Sequence, residues 1–122
     1  MKTLLINPYT SSSSTAGAYK RFLAPMPPIS LAYVAMALRE AGKEVSVYDD
    51  YIRGGDRSLL AEAVEKEKPD AIGLTCVTPT APRTFDIARF IREKYPRTKI
   101  ILGNIHASVF YEKILKDNLA NY

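Results

Sequence analysis

The chain has 122 residues, 47% of them hydrophobic and 25% charged, with a formal net charge of +4. That is enough for one domain with a real core, and it excludes a disordered or fibrous protein. The positive balance is modest and its lysines and arginines are scattered among acids, a solvated surface that gives no sign of nucleic-acid binding.

In chain order, "TLLINP" is an apolar run stopped by Pro8, too short for a helix and right for a buried strand. From Pro28 to Ala41, "PISLAYVAMALREA" is apolar on most sides, opens on proline and is followed by Gly42, which predicts a largely buried helix with a glycine C-cap. "EVSVYDD" alternates Val45 and Val47 with polar residues as a strand does, and "RSLLAEAVEKEK" sets Leu59, Leu60, Ala63 and Val64 along one helical face before Pro69 stops it. "DAIGLTC" is the third buried run. "RTFDIARFIREKY" carries Ile87, Ile91 and Tyr95 at helical spacing, and "TKIILG" is a fourth strand. A last helix is expected from about Val109 to Lys116. Strands and helices alternating at this spacing form right-handed βαβ units, hence an α/β fold with a parallel sheet and helices on both faces. No internal repeat or linker marks a second domain, so residues 1–122 read as one domain.

Ligands of such sheets bind beyond the carboxyl ends of the strands, where the strand order reverses, so the loops after strands 1, 3 and 4 are read together. After strand 1, "NPYTSSSSTAGAYKRFLAPMPP" exceeds the roughly 12 to 15 residues of ordinary connections, and such loops are functional or disordered. Asn7 and Pro8 at its start are candidates for ligand contact, while the serine run at 11–14 reads as a flexible tip. After strand 3, Thr75, Thr78 and Thr80 offer hydroxyls around a helix start, of which capping alone explains one. After strand 4, Gly103 permits close backbone approach, and Asn104, His106 and Ser108 add polar groups at the same rim. His106 is the sole histidine.

Other chemistries fail on residue type. A dinucleotide site needs G-x-G-x-x-G where strand 1 turns into helix 1, and that position reads "NPYTSS". A P-loop is absent. Asp49 at the end of strand 2 reads as a cap more readily than as a ribose ligand, and the Asp49-Asp50 pair lacks the acceptor aspartate that a phosphate-receiving site would carry after strand 3, where Thr75-Cys76 stand. The lone Cys76 makes neither an internal disulfide nor a thiolate metal cluster, and no protein metal site is predicted. No apolar run approaches the roughly 20 residues of a membrane span, and "MKTLLINPYT" is too short in apolar residues for a signal peptide, so a cytoplasmic location is expected.

Taken together, "LLINP", "PPISLAYVAMALREAGKEVSVYD", "KPDAIGLTCVTPT" and "ILGNIHAS" resemble, over nearly the whole chain, the amino-terminal cobalamin-binding domain of cobalamin-dependent radical SAM enzymes. Within that group the chain is similar to the anaerobic magnesium-protoporphyrin monomethyl ester cyclases, whose pattern is an Asn-Pro turn, a Pro-Pro-Leu-like helix start, a Thr-Pro-Thr loop and Gly-Gly-x-His-Ala-Thr. The single motifs are short; their order and spacing make the match specific. Thr75-Cys76-Val77 and Gly103 also stand at nearly the separation of the Ser-x-Leu element and the Gly-Gly of cobalamin domains more widely.

The resemblance implies a flavodoxin-like, Rossmann-like sheet that takes the cofactor's nucleotide tail between sheet and loops, with the corrin ring over the rim. It implies a cobalamin-binding module of a longer enzyme, for methyl transfer or oxidative cyclisation, with S-adenosylmethionine and a [4Fe-4S] cluster held by a radical SAM domain outside these residues. The Cys-x-x-x-Cys-x-x-Cys signature of that domain is missing, so the fragment alone is not expected to be catalytic. A fifth strand is expected to follow residue 122 in such folds. Without it the strand 4 edge invites self-association. Two departures stand out: no histidine lies in the strand 1 loop, where many cobalamin proteins carry the cobalt ligand, and Asn104 and Ser108 replace the pattern's second glycine and its threonine. His106 stays open between a cobalt ligand, a hydrogen-bonding rim residue and a structural histidine, with the rim role favoured. The alternative from another class is a flavodoxin-like regulatory or interaction module for a small nucleotide or a protein partner.

Overall fold

A computed structural model describes residues 1–10 and 26–122; most of the long loop after the first strand lies outside the described residues. Four strands, β1 (Lys2–Asn7), β2 (Glu44–Asp49), β3 (Ala71–Thr75) and β4 (Lys99–Gly103), form one parallel sheet in the order β2-β1-β3-β4. The order reverses between β1 and β3, which is the switch point of a flavodoxin-like sheet. Asn121 and Tyr122 lie along the outer edge of β4: the Asn121 amide donates to the Ile100 carbonyl at 2.7 Å and the Leu102 amide to the Tyr122 carbonyl at 2.9 Å.

The helices are α1 (Ile29–Glu40), α2 (Arg57–Glu67), α3 (Ala81–Lys94), α4 (Ile105–Val109) and α5 (Tyr111–Lys116), with a 3-10 turn over Thr78–Thr80. Sequence chemistry sets their ends. Gly42, at φ +73°, closes α1 with the two bonds of a Schellman motif, Gly42 N–H to the Arg39 carbonyl and Lys43 N–H to the Leu38 carbonyl. Asp56 caps α2 by accepting from the Ser58 and Leu59 amides. The expected last helix begins four residues early and is broken: Asn104 accepts the Ile105 amide to start α4, and Phe110 at φ −109° separates α4 from α5.

Right-handed crossovers on a sheet whose order reverses put α1 on one face and α2 and α3 on the other. The main core therefore lies under α2 to α5, where Leu4, Ile6, Ile72, Leu74 and Ile100 of the sheet meet Leu60, Val64, Ile87, Ile91 and Ile114. A smaller core of Leu5, Leu31, Ala35 and Val45 lies under α1. The expectation of a largely buried α1 is corrected here. Only Leu31 and Ala35 are buried, while Ile29, Tyr33, Val34 and Met36 are exposed, because α1 has the sheet on one side and no neighbouring helix among the described residues.

Candidate functional site

α1 packs on β1 and β2 and leaves the β3–β4 half of its face open. The resulting groove has a cavity of about 430 Å3, floored by Leu5, Gly73, Thr75, Ile101 and Gly103 and walled by Leu31 and Val34 of α1. Two glycines shape it. An ideal Cβ on Gly103 meets no atom within 4 Å, so the backbone there borders open space; at Gly73 it would lie 2.7 Å from Leu5 Cδ2, so the floor can carry no side chain without moving Leu5. Asn104 stands at the end of the groove with φ +80° and ψ 176°, a conformation that glycine adopts freely and other residues adopt at a cost. A larger cavity of about 580 Å3, bordered by Lys68, Asp70, Tyr95 and Arg97, opens at the amino ends of β3 and β4. Ligands of open parallel sheets bind at the opposite, carboxyl end, so the smaller groove is the better candidate.

The sequence-predicted residues fall into three places. Thr75, Gly103 and Asn104 line the groove together. Thr78 and His106 meet on the other side of the rim, where Thr78 Oγ1 and His106 Nδ1 share a hydrogen bond at 3.2 Å and the imidazole packs at 4.6 Å from the Phe110 ring and 5.9 Å from Phe85. His106 thus faces the α3–α5 side, with Phe85, Phe110 and Ile114, while Gly103 faces α1. Asn7, Pro8, Thr80 and Ser108 hold turns. Asn7 Nδ2 donates to Asp49 Oδ1 at 2.9 Å, Pro8 is fully buried, Thr80 Oγ1 bonds within its own turn to Val77, and Ser108 Oγ donates to the Asn104 carbonyl. Thr10 Oγ1 donates to the Pro79 carbonyl at 3.2 Å, which joins the loops after β1 and β3 across the switch point.

Sequence reasoning missed Asp50 and Arg83. Asp50 is 0% exposed and accepts three bonds, from the Tyr9 amide at 2.9 Å, Arg83 Nε at 2.9 Å and Arg83 Nη2 at 3.1 Å. Its hydrogen bonds, more than the loss of solvent that opposes them, raise the Arg83 guanidinium above its ordinary range. The signal in the sequence is the Asp49-Asp50 pair ending strand 2, which by itself suggests only a phosphate-receiving site and fails as one for want of an acceptor after strand 3. Thr84 was missed too: buried, it donates to the carbonyls of Thr75 or Thr80 and steadies the end of β3. The thiol of Cys76 is buried, and that burial pushes its pKa up, so it stays a neutral packing group.

Comparison with known proteins bears on the domain as a whole: the model of the B12 binding domain matches residues 20–122. The chain belongs to the B12 binding domain family. Over 96% of its length it is 29% identical to the anaerobic magnesium-protoporphyrin IX monomethyl ester cyclase of Rubrivivax gelatinosus and 24% identical to that of Cereibacter sphaeroides. It is also 27% identical to an uncharacterised methyltransferase of Pyrococcus horikoshii. The chain spans about a fifth of the length of these relatives, 20%, 18% and 24% respectively. No solved structure matches significantly. The groove fits a B12 tail in kind: it is apolar, bordered by glycine backbone with open space above Gly103, and lies at the carboxyl end of the strands beside the switch point.

Proposed function

We propose that the chain is the cobalamin-binding module of a radical SAM enzyme, holding the cofactor over the carboxyl rim of its sheet for a separate catalytic domain. The observation that carries this reading is the open groove between α1 and the β3–β4 half of the sheet, with Gly73 and Gly103 in it, in a member of the B12 binding domain family. In this role Leu5, Leu31, Val34 and Ile101 shelter the cofactor's nucleotide tail from water, and the Gly103 backbone allows it close approach. Thr75 and Asn104 supply polar contacts at the groove's end. Asn7, Pro8 and the Thr78–His106 pair form the rim beside the ring, with Thr80 and Ser108 fixing the turns that carry them. When bound, cobalamin supplies the cobalt-centred chemistry of methyl transfer or oxidative cyclisation, while the protein supplies binding and orientation. S-adenosylmethionine and the [4Fe-4S] cluster belong to the partner domain, and the chain by itself is not catalytic. Two relatives named as cyclases and one named as a methyltransferase support a role of this kind.

His106 serves the rim and not the cobalt, since its ring is held against Phe85 and Phe110 on the α3–α5 side while the groove opens on the α1 side. Titration with hydroxocobalamin followed by gel filtration tests the module: the corrin absorption travels with the protein if the reading is right and separates from it if wrong. Paramagnetic resonance of the bound cobalt(II) form then shows no nitrogen splitting that His106→Ala removes.

A further inference from the structure

We propose that the buried Asp50–Arg83 pair is a positioning device which fixes the turn after β1 at the rim of the cofactor site, acting through the Tyr9 amide. The inference rests on the cobalamin reading and adds to it two residues that do not line the groove.

Among the described residues Asp50 is the one fully buried carboxylate, and everything around it concerns the same turn. Its side chain takes the Tyr9 amide, and its own amide donates to the Asn7 carbonyl at 3.0 Å. Asp49 next to it holds Asn7 Nδ2 and the Tyr51 amide on one oxygen. The Tyr9 ring rests on Gly55, where an added Cβ would lie 2.9 Å away, and meets the Tyr51 ring at 6.0 Å. The turn after β2 thus grips Asn7 to Tyr9 by backbone, carboxylate and ring. Arg83 extends the grip to the first turns of α3: it holds both Asp50 oxygens, and its Nη1 is held in turn by Asp86, which also pairs with Arg57 of α2. Three elements around the switch point are tied at one carboxylate.

Stability alone does not call for this arrangement. A buried ion pair can often be replaced by apolar residues of like volume without loss of stability, because removing two charges from water offsets their attraction. α3 is already anchored by Ile87, Ala88 and Ile91. What an apolar pair could not provide is an acceptor for the Tyr9 amide, and hence an ordered turn before the ligand arrives. A site ordered beforehand loses less conformational freedom on binding.

Asp50→Asn keeps an oxygen for the Tyr9 amide, whereas the double variant Asp50→Leu/Arg83→Met removes it and keeps the volume. Three quantities are measured on the 122-residue chain: melting temperature, hydrogen exchange of the Tyr9 amide without cofactor, and hydroxocobalamin affinity. The double variant is expected to melt near the native chain, to exchange the Tyr9 amide faster and to bind about tenfold or more weakly, as loss of a charge-assisted bond at the rim implies. Asp50→Asn is expected to keep the protected amide and the affinity even if it melts lower. Native affinity in the folded double variant overturns the proposal, and so does affinity that simply follows melting temperature across the set. Should the double variant not fold, Arg83→Lys, which keeps the cation without its two-pronged grip, is expected to speed Tyr9 exchange and weaken binding; native values overturn the proposal. If the native chain binds no cobalamin, the reading of the function fails, and the pair is judged on Tyr9 exchange alone, where an unchanged rate removes its positioning role.

Discussion

Gly103 and Asn104 are neighbours with opposite mutational signatures. A Cβ on Gly103 meets no atom within 4 Å among the described residues, so Gly103→Val is expected to leave the fold intact while filling the space above the groove. The expected outcome is loss of cobalamin binding with an unchanged circular dichroism spectrum; unchanged affinity in the folded variant would remove Gly103 from the site. Asn104 holds a backbone conformation that costs a non-glycine residue about 1 to 3 kcal/mol, while its cap on the Ile105 amide is worth only a few tenths over glycine at such a position. The extra chain entropy of glycine takes back about 0.5 to 1 kcal/mol. Asn104→Gly should therefore stabilise the chain by roughly 1 kcal/mol, read as a higher urea midpoint at constant slope.

Among the helices, the difference between α1 and α3 is one of covering. Ile87 of α3 is 1% exposed in the main core, so Ile87→Ala is expected to cost about 2 to 5 kcal/mol. Tyr33 on the outer side of α1 is 71% exposed, and Tyr33→Ser should stay within about 0.5 kcal/mol in the same denaturation measurement. Charge joins α2 to α3 through Arg57, Asp86 and Arg83. The hydrogen bond from Arg57, with smaller help from the charges of Arg57 and Arg83, holds the Asp86 carboxyl below its ordinary range. A carboxyl lowered in the folded state stabilises the fold above its unfolded pKa and loses that contribution as pH falls through the lowered value. Urea midpoints should drop as pH falls below about 5, through the unfolded carboxyl range and on below it, and Asp86→Asn should remove part of the drop, less than about 1 kcal/mol because the side chain is almost half exposed. A midpoint whose pH dependence is identical in the variant would rule Asp86 out.

For the molecule as a whole, one face of the sheet is sealed and the other is half open. Ile101 is 40% exposed on the open half, and Ile29, Val34 and Met36 continue the apolar surface along α1. Among the described residues only Asn121 and Tyr122 bond to the outer edge of β4, and an exposed edge beside an apolar face tends to pair or be covered. We expect the 122-residue chain to self-associate in sedimentation as concentration rises, through this edge or face. A strictly monomeric chain at high concentration counts against it.

The four strands and first three helices and their order could be read from the sequence because each carries a local pattern, such as the short apolar runs at β1, β3 and β4 and the helical spacing at Ile87 and Ile91, whereas the expected last helix is two helices broken at Phe110. Gly42 and Pro69 marked helix ends for the same local reason. The candidate loops were legible as well, since the rule that ligands gather beyond the strand ends needs only the order of elements. Which residues of those loops come together was not. Thr75, Gly103 and Asn104 share a groove while His106 turns to the other side, because the chain leaves β4 at Gly103, turns at Asn104 and enters α4 at Ile105, so that the helix and not the strand aims His106. The apolar sides of α1 look buried in sequence, yet what covers a helix depends on its neighbours, and among the described residues α1 packs on the sheet alone. Asp50 and Arg83 stand 33 positions apart, and no local pattern links a strand-end aspartate to an arginine on a later helix. Their partnership was decided by the tertiary fold, which brings the turn after β2 and the start of α3 to the same end of the sheet.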